Sequence, residues 1–138
     1  MPAAARLTGA EQRGLVEVRE SIRSVLAVHT DRGHDPEAAS RMSMALMSCR
    51  LAIAIDAAGG VRLESAGHDP FGQAVGQVAL AIAEAGVTGT WPRLKSCPGH
   101  LCGWAFYDRS PSGRSRWCSM QLCGARAKMR AYRDRTVS

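Results

Sequence analysis

Aromatic residues are scarce: three Trp, two Tyr and two Phe in 138 residues. Any core must therefore rest on aliphatic side chains, with alanine and methionine as filling. Long apolar runs are missing too. None reaches the roughly 18 residues that a membrane span requires. The opening "MPAAARLTGAEQRG" holds no extended apolar stretch of the kind a secretory leader carries. The cytoplasm is the expected compartment, and no membrane partner is expected. Lysine supplies only 2 of the 18 basic residues, so the cationic chemistry is that of arginine's planar fork. No nucleophile–base set stands at catalytic spacing, and an enzyme is not expected. His29, His34, His68 and Cys49 show no pairing pattern, and core or surface roles are expected for them.

Acid is nearly absent from the last third. Residues 91–138 carry ten Lys or Arg against Asp108 and Asp134, a net +8. Residues 1–90 carry eight Arg against ten acidic residues, a net −2. A one-sided block of this kind points to an anionic partner, nucleic acid being the commonest. A solubilising basic tail is the plain alternative.

What is present is enough for a folded chain of one domain plus a mini-domain, with 46% hydrophobic and 22% charged residues. "TGAE" at Thr8–Glu11 is a capping box. Leu15, Val18, Ile22, Val25, Leu26 and His29 then recur at helical spacing until Gly33. Asp35-Pro36 predicts a second helix to about Ser48, burying Ala39, Met42 and Leu46. Leu51, Ile53 and Ile55 alternate, a turn follows at Ala57–Gly60, and Val61 and Leu63 resume, which predicts a half-buried β-hairpin. Asp69-Pro70 opens a third helix with the stripe Phe71, Val75, Val78 and Ile82, ending at Gly86.

Four of the five cysteines lie in the basic segment, as Cys97-x4-Cys102-x15-Cys118-x4-Cys123. Two local pairs of thiolates supply the tetrahedron of soft ligands that zinc prefers. Two disulfides, a redox pair and His100 as a substitute ligand are the rivals. A reducing compartment speaks against the first, the absent two-residue spacing against the second, and the four available thiols against the third. Four thiolates leave no open position on the metal, so one structural zinc per chain is expected. Between the pairs, "WAFYD" and "RSRWC" predict two strands around an "RSPSG" turn, and "GARAKMRAYRDR" predicts a helix. That order resembles a treble clef, with Trp104, Phe106 and Trp117 as its apolar shell.

On the helix, Arg126, Arg130 and Arg133 stand at i, i+4 and i+7 and share one face. Lys128 and Arg135 make a second strip, and Arg109, Arg114 and Arg116 flank the expected hairpin. The nucleic-acid contacts expected from this layout are Arg114, Arg116, Arg126, Lys128, Arg130 and Arg133. DNA is the first candidate partner, and RNA fits the charge equally well. Packing roles are expected for Tyr107 and Tyr132. A protein-interaction module that meets an acidic partner is the competing class.

Residues 91–135 closely resemble the CGNR zinc finger, through "RLKSC", "CGWAFYD", "RWCSM" and "CGAR" followed by Lys128. That finger sits at the C-terminus of bacterial proteins regarded as stress-induced transcription regulators. The resemblance implies zinc ligation by Cys97, Cys102, Cys118 and Cys123, and it implies transcription regulation through DNA. The signature's Gly and Arg map to Gly124 and Arg126, while its asparagine is replaced by Ala125. "CRLAIAIDAAGGVRLESAG" is similar to the hairpin of that family's N-terminal domain, whose "FVNT"-like motif has no counterpart here. The expected organisation is α+β. Residues 1–90 form a helical domain with one β-hairpin, suited to sensing or to homodimerisation, and residues 91–138 form a treble-clef-like zinc finger with a basic helix.

Overall fold

The computed structural model describes residues 6–136. Helix α1 spans Gly9–Leu26 and opens as the capping box predicts. The Glu11 N–H donates to Thr8 Oγ1 at 3.2 Å, and the Thr8 N–H donates to Glu11 Oε2 at 2.6 Å. A 3-10 turn, Ala27–Thr30, continues it. Helix α2 spans Pro36–Met47, strands β1 and β2 span Leu51–Ile55 and Val61–Ser65, and helix α3 spans Pro70–Val87. Strands β3, Leu94–Ser96, and β4, Ala105–Tyr107, lead to helix α4, Ala125–Thr136. The secondary structure is therefore α+β, mainly helical, with two small antiparallel hairpins.

The chain resolves into two compact units. The first takes the chain up to Ile22 together with Pro36–Trp91; the second takes Arg23–Asp35 and everything from Pro92. The core of the first unit is Val18, Met42 and Val75, one residue from each helix, with Leu15, Leu46, Phe71, Val78 and Ile82 packed around them. These are the aliphatic stripes that the 3.6-residue period marks. In α2 the buried alanine is Ala38 rather than the expected Ala39, which is exposed. Ala38, Met42 and Ala45 stand at i, i+4 and i+7, and that stripe faces the core in place of one starting a residue later.

Asp69 caps α3, its Oδ1 accepting the Gly72 N–H at 2.7 Å, and Pro70 follows as the first helical residue. The helix runs past Gly86, the expected terminator, because Gly86 remains helical. The reversal falls at Gly89, which adopts φ +71° after the Thr88 cap.

The β1–β2 hairpin has the expected strands, in the register Leu51↔Ser65, Ile53↔Leu63 and Ile55↔Val61. Asp56 closes its turn, with Oδ1 accepting N–H groups of Ala58 and Gly60 at 2.9 and 2.8 Å. Its burial departs from expectation. The alternating apolar residues are exposed, because α3 backs only the Ser65 end of β2: a Cβ on Gly76 would lie 2.1 Å from Ser65 Oγ. The chain entering α3 is equally tight. A Cβ on Gly67 would lie 2.4 Å from the carbonyl carbon of Gly72, and backbone cannot rotate away. Gly67→Ala is expected to cost about 1–3 kcal/mol, with urea denaturation as the readout. An unchanged midpoint would contradict this packing.

Candidate metal centre

The second unit is built around the cysteines. Strand β3 delivers Cys97, and the segment Cys97–Cys102 makes a knuckle that returns to β4, with the Cys97 N–H bonded to the Trp104 carbonyl at 2.9 Å. The β3–β4 register is Leu94↔Tyr107, Lys95↔Phe106 and Ser96↔Ala105. Cys118 and Cys123 come from the turn before α4. There a π-helical segment, Met120–Gly124, is capped by Ser119, whose Oγ accepts the Leu122 N–H at 3.3 Å.

The four Sγ atoms lie within 4.8 Å of one another. Cys118 Sγ is 3.7 Å from both Cys102 Sγ and Cys123 Sγ. A tetrahedral zinc with Zn–S bonds of about 2.3 Å sets its sulfurs about 3.8 Å apart. The observed edges fit that ion, and they are far too long for disulfides; all five cysteines are free. A Cβ on Gly99 would crowd Cys123 Sγ at 3.1 Å and Cys102 Cβ at 3.2 Å, so the knuckle needs its glycine. At the signature glycine, Gly124, a Cβ would displace the end of the Met120 side chain, 2.6 Å away, and press on the Trp117 ring at 3.2 Å.

The electrostatics of the cluster call for a cation. Burial pushes the Cys97 thiol up, but N–H groups of Cys118 and Gly99, each 3.4 Å from Cys97 Sγ, bring it below the ordinary thiol value. Cys118 is pushed up to about 12 by burial and by the thiols of Cys97, Cys123 and Cys102. Crowded together, the four thiols oppose one another's ionisation. A divalent ion at the centre removes that conflict. The cluster is a structural zinc site, and its four sulfurs close the coordination sphere.

A second buried constellation supports the first, and sequence reasoning missed it. Lys95 and Asp108 are 4% and 2% exposed and form an ion pair at 2.7 Å. Lys95 Nζ also donates to the carbonyls of Gly113 and Ser115 at 2.7 and 2.8 Å, which uses all three of its protons. Asp108 Oδ1 accepts the Ser110 N–H and Oδ2 accepts the Ser115 N–H, both at 2.9 Å. Burial alone would raise the Asp108 carboxyl, but Lys95, Ser110 and Ser115 hold it well below the usual carboxylate range. Arg93 pins the same loop by donating to the carbonyls of Asp108 and Ser110 at 3.0 and 2.8 Å.

This network sets the course of the chain after β4. The expected returning strand "RSRWC" does not form, and β4 pairs with β3 instead. Residues 108–115 wrap around the Lys95 ammonium, and Gly113 turns with φ +64°. The expected apolar shell also changes. Phe106 and Trp117 are half-buried, but Trp104 is exposed. Tyr107 and Tyr132, expected to pack, are exposed as well. Among the aromatics of this unit, none is as buried as the Lys95–Asp108 pair.

Residues far upstream complete the unit. The His29 ring Nδ1 is hydrogen-bonded to the Leu94 carbonyl, and Thr30 Oγ1 donates to the Ser96 carbonyl at 2.8 Å. Arg32 reaches the Cys97 carbonyl at 3.5 Å. The place of His29 on an apolar stripe gave no sign of this role.

The basic residues singled out in the sequence are all exposed. Arg126, Arg130 and Arg133 line one groove along α4, together with Leu122 and Met129. Arg126 and Arg130 also border a cleft of about 750 Å³ between the knuckle and α4, with His100, Leu101 and Trp117. Lys128 lines neither. Arg116 lies over the Trp117 ring at 5.8 Å and donates to the Thr30 carbonyl at 3.4 Å, so part of its fork is engaged within the unit. Arg114 stands on the loop that Lys95 organises. Ala125, in the asparagine position of the signature, is the exposed first residue of α4. Among the described residues, no helix is long and apolar enough to cross a membrane.

No curated protein matches the chain. Residues 93–136 match the family model of the CGNR zinc finger, the family that this segment resembles in sequence, and the strand–knuckle–strand order, the four clustered sulfurs and the helix that follows them agree with that match.

Proposed function

We propose that the finger holds α4 against nucleic acid, DNA in the first place, and that the protein acts as a zinc-dependent transcriptional regulator. One observation carries this reading. Arg126, Arg130 and Arg133 line a single groove on a helix that begins two residues after the last zinc ligand. The metal thus fixes the base of the helix, and the arginines present their planar forks in one direction. A closed thiolate sphere gives the zinc no catalytic opening, so the role proposed is a binding one. Four thiolates on one zinc ion lower the segment's +8 to about +6, which is still a concentrated cationic surface.

If six of these groups neutralise DNA phosphates, log affinity should fall against log salt with a slope of about −5. The direct test is a salt-titrated anisotropy measurement on duplex DNA, with RNA of matched length alongside. Arg126→Ala with Arg130→Ala should weaken binding at least about tenfold and flatten the slope by about 2, leaving zinc content unchanged. Binding that stays flat across salt would remove nucleic acid as the partner. Preference for RNA over DNA would keep the surface and change the target.

A further inference from the structure

We propose that the apolar face of the β1–β2 hairpin is a homodimer interface, with a second copy of this chain as its occupant. Leu51, Ile53 and Ile55 alternate on β1, and Val61 and Leu63 oppose them on β2, so all five point to one face of the ribbon. That face is open: Ile53, Ile55 and Val61 are 67%, 72% and 68% exposed, and Leu51 and Leu63 are exposed as well. A two-stranded ribbon is at best marginally stable alone, and it needs a covered apolar face. Here α3 backs only the Ser65 end, where Ser65 Oγ donates to the Gln73 carbonyl at 3.3 Å.

Area and charge select the occupant. The five side chains leave on the order of 500 Å² of surface uncovered, in the range of the largest apolar patch on a monomer, which is often a functional one. A twofold contact between two such faces would bury about 1,000 Å², which reaches the lower limit for a specific interface. The charged residues of the ribbon, Arg62 and Glu64, lie on the opposite face and pair with each other at 3.0 Å. The apolar face therefore carries no charge, and like meets like across a dyad without repulsion. An acidic partner or an anionic surface would find nothing cationic there to hold it. Two faces of Ile, Val and Leu can interdigitate as stacked sheets do, about 10 Å apart.

The test is sedimentation equilibrium of the zinc-loaded full chain, with Ile53→Thr plus Leu63→Thr as the variant. Threonine is β-branched and keeps the strand preference while the apolar contact is lost. The wild-type chain should dimerise with a dissociation constant in the micromolar range or tighter, and the variant should weaken it at least about tenfold. Circular dichroism and zinc content should match the wild type, since both residues are exposed. Arg62→Ala, on the other face, should leave the dimer intact. A wild-type monomer at about 100 μM would overturn the proposal. So would a dimer that survives the double variant, or one that Arg62→Ala dissolves equally. None of these outcomes bears on nucleic-acid binding by the finger.

Discussion

Replacing Cys118 with serine is expected to abolish zinc binding and unfold the second unit. Cys118 Sγ sits 3.7 Å from two of its three partners and within 4.8 Å of the third, so its loss removes one corner and all three edges that meet there. A hydroxyl is a poor replacement for a soft thiolate. Apolar burial alone would not hold this unit together. Its buried side chains are Leu26, Thr30, Lys95, Ser96, Cys97, Asp108 and Cys123, of which Leu26 alone is aliphatic among the described residues. Structural zinc contributes roughly 10–16 kcal/mol in finger peptides, which is as large as the whole stability of a typical domain. Elemental analysis should show the metal lost, and near-ultraviolet circular dichroism should show the signal of half-buried Trp117 collapse. A variant that retains one zinc per chain would refute the ligand assignment.

The second large effect is expected at Asp108. Asp108→Ala should destabilise the zinc-loaded second unit by about 3–5 kcal/mol, because it strands a buried ammonium. Lys95 would keep its two carbonyl acceptors but lose its counter-charge, and the N–H groups of Ser110 and Ser115 would lose their acceptor. The carboxyl is held low in the folded state, so its contribution is complete above its unfolded value of about 3.9 and fades as pH falls below it. Thiolate protonation releases zinc on the acid side as well. Guanidinium denaturation at neutral pH therefore isolates the Asp108 effect, and a loss under about 1 kcal/mol would contradict the network.

Where local chemistry decides structure, the sequence was legible. Thr8 and Glu11 share one turn and Asp69-Pro70 opens another, and both caps form as read. The cysteine pairs state their own geometry, since two short loops bring four thiols together and little but a metal needs them. Readings that depended on long-range packing were less successful. The alternation in β1 and β2 marks a face, but it does not say what covers that face, and here, among the described residues, α3 reaches its Ser65 end and the five apolar side chains stay exposed. The returning strand expected at Arg114–Cys118 does not form, because three tertiary bonds to the Lys95 ammonium, two of them from the Gly113 and Ser115 carbonyls, outweigh local β propensity. Asp108 did carry a signal. It is one of two acidic residues in a segment with ten basic ones, and a lone carboxylate in such company is a candidate for a buried pair. His29 and Thr30 carried none, because their partners lie more than 60 residues away.

Metal content of the full chain, purified under reducing conditions and measured by elemental analysis, tests the central claim most directly. Zinc at one equivalent per chain, retained through dialysis and removed only by a strong chelator with loss of the folded second unit, is the predicted result. Protein that holds no tightly bound metal yet keeps that unit folded would contradict it, because the sulfurs would then have no reason to stand at the corners of a tetrahedron.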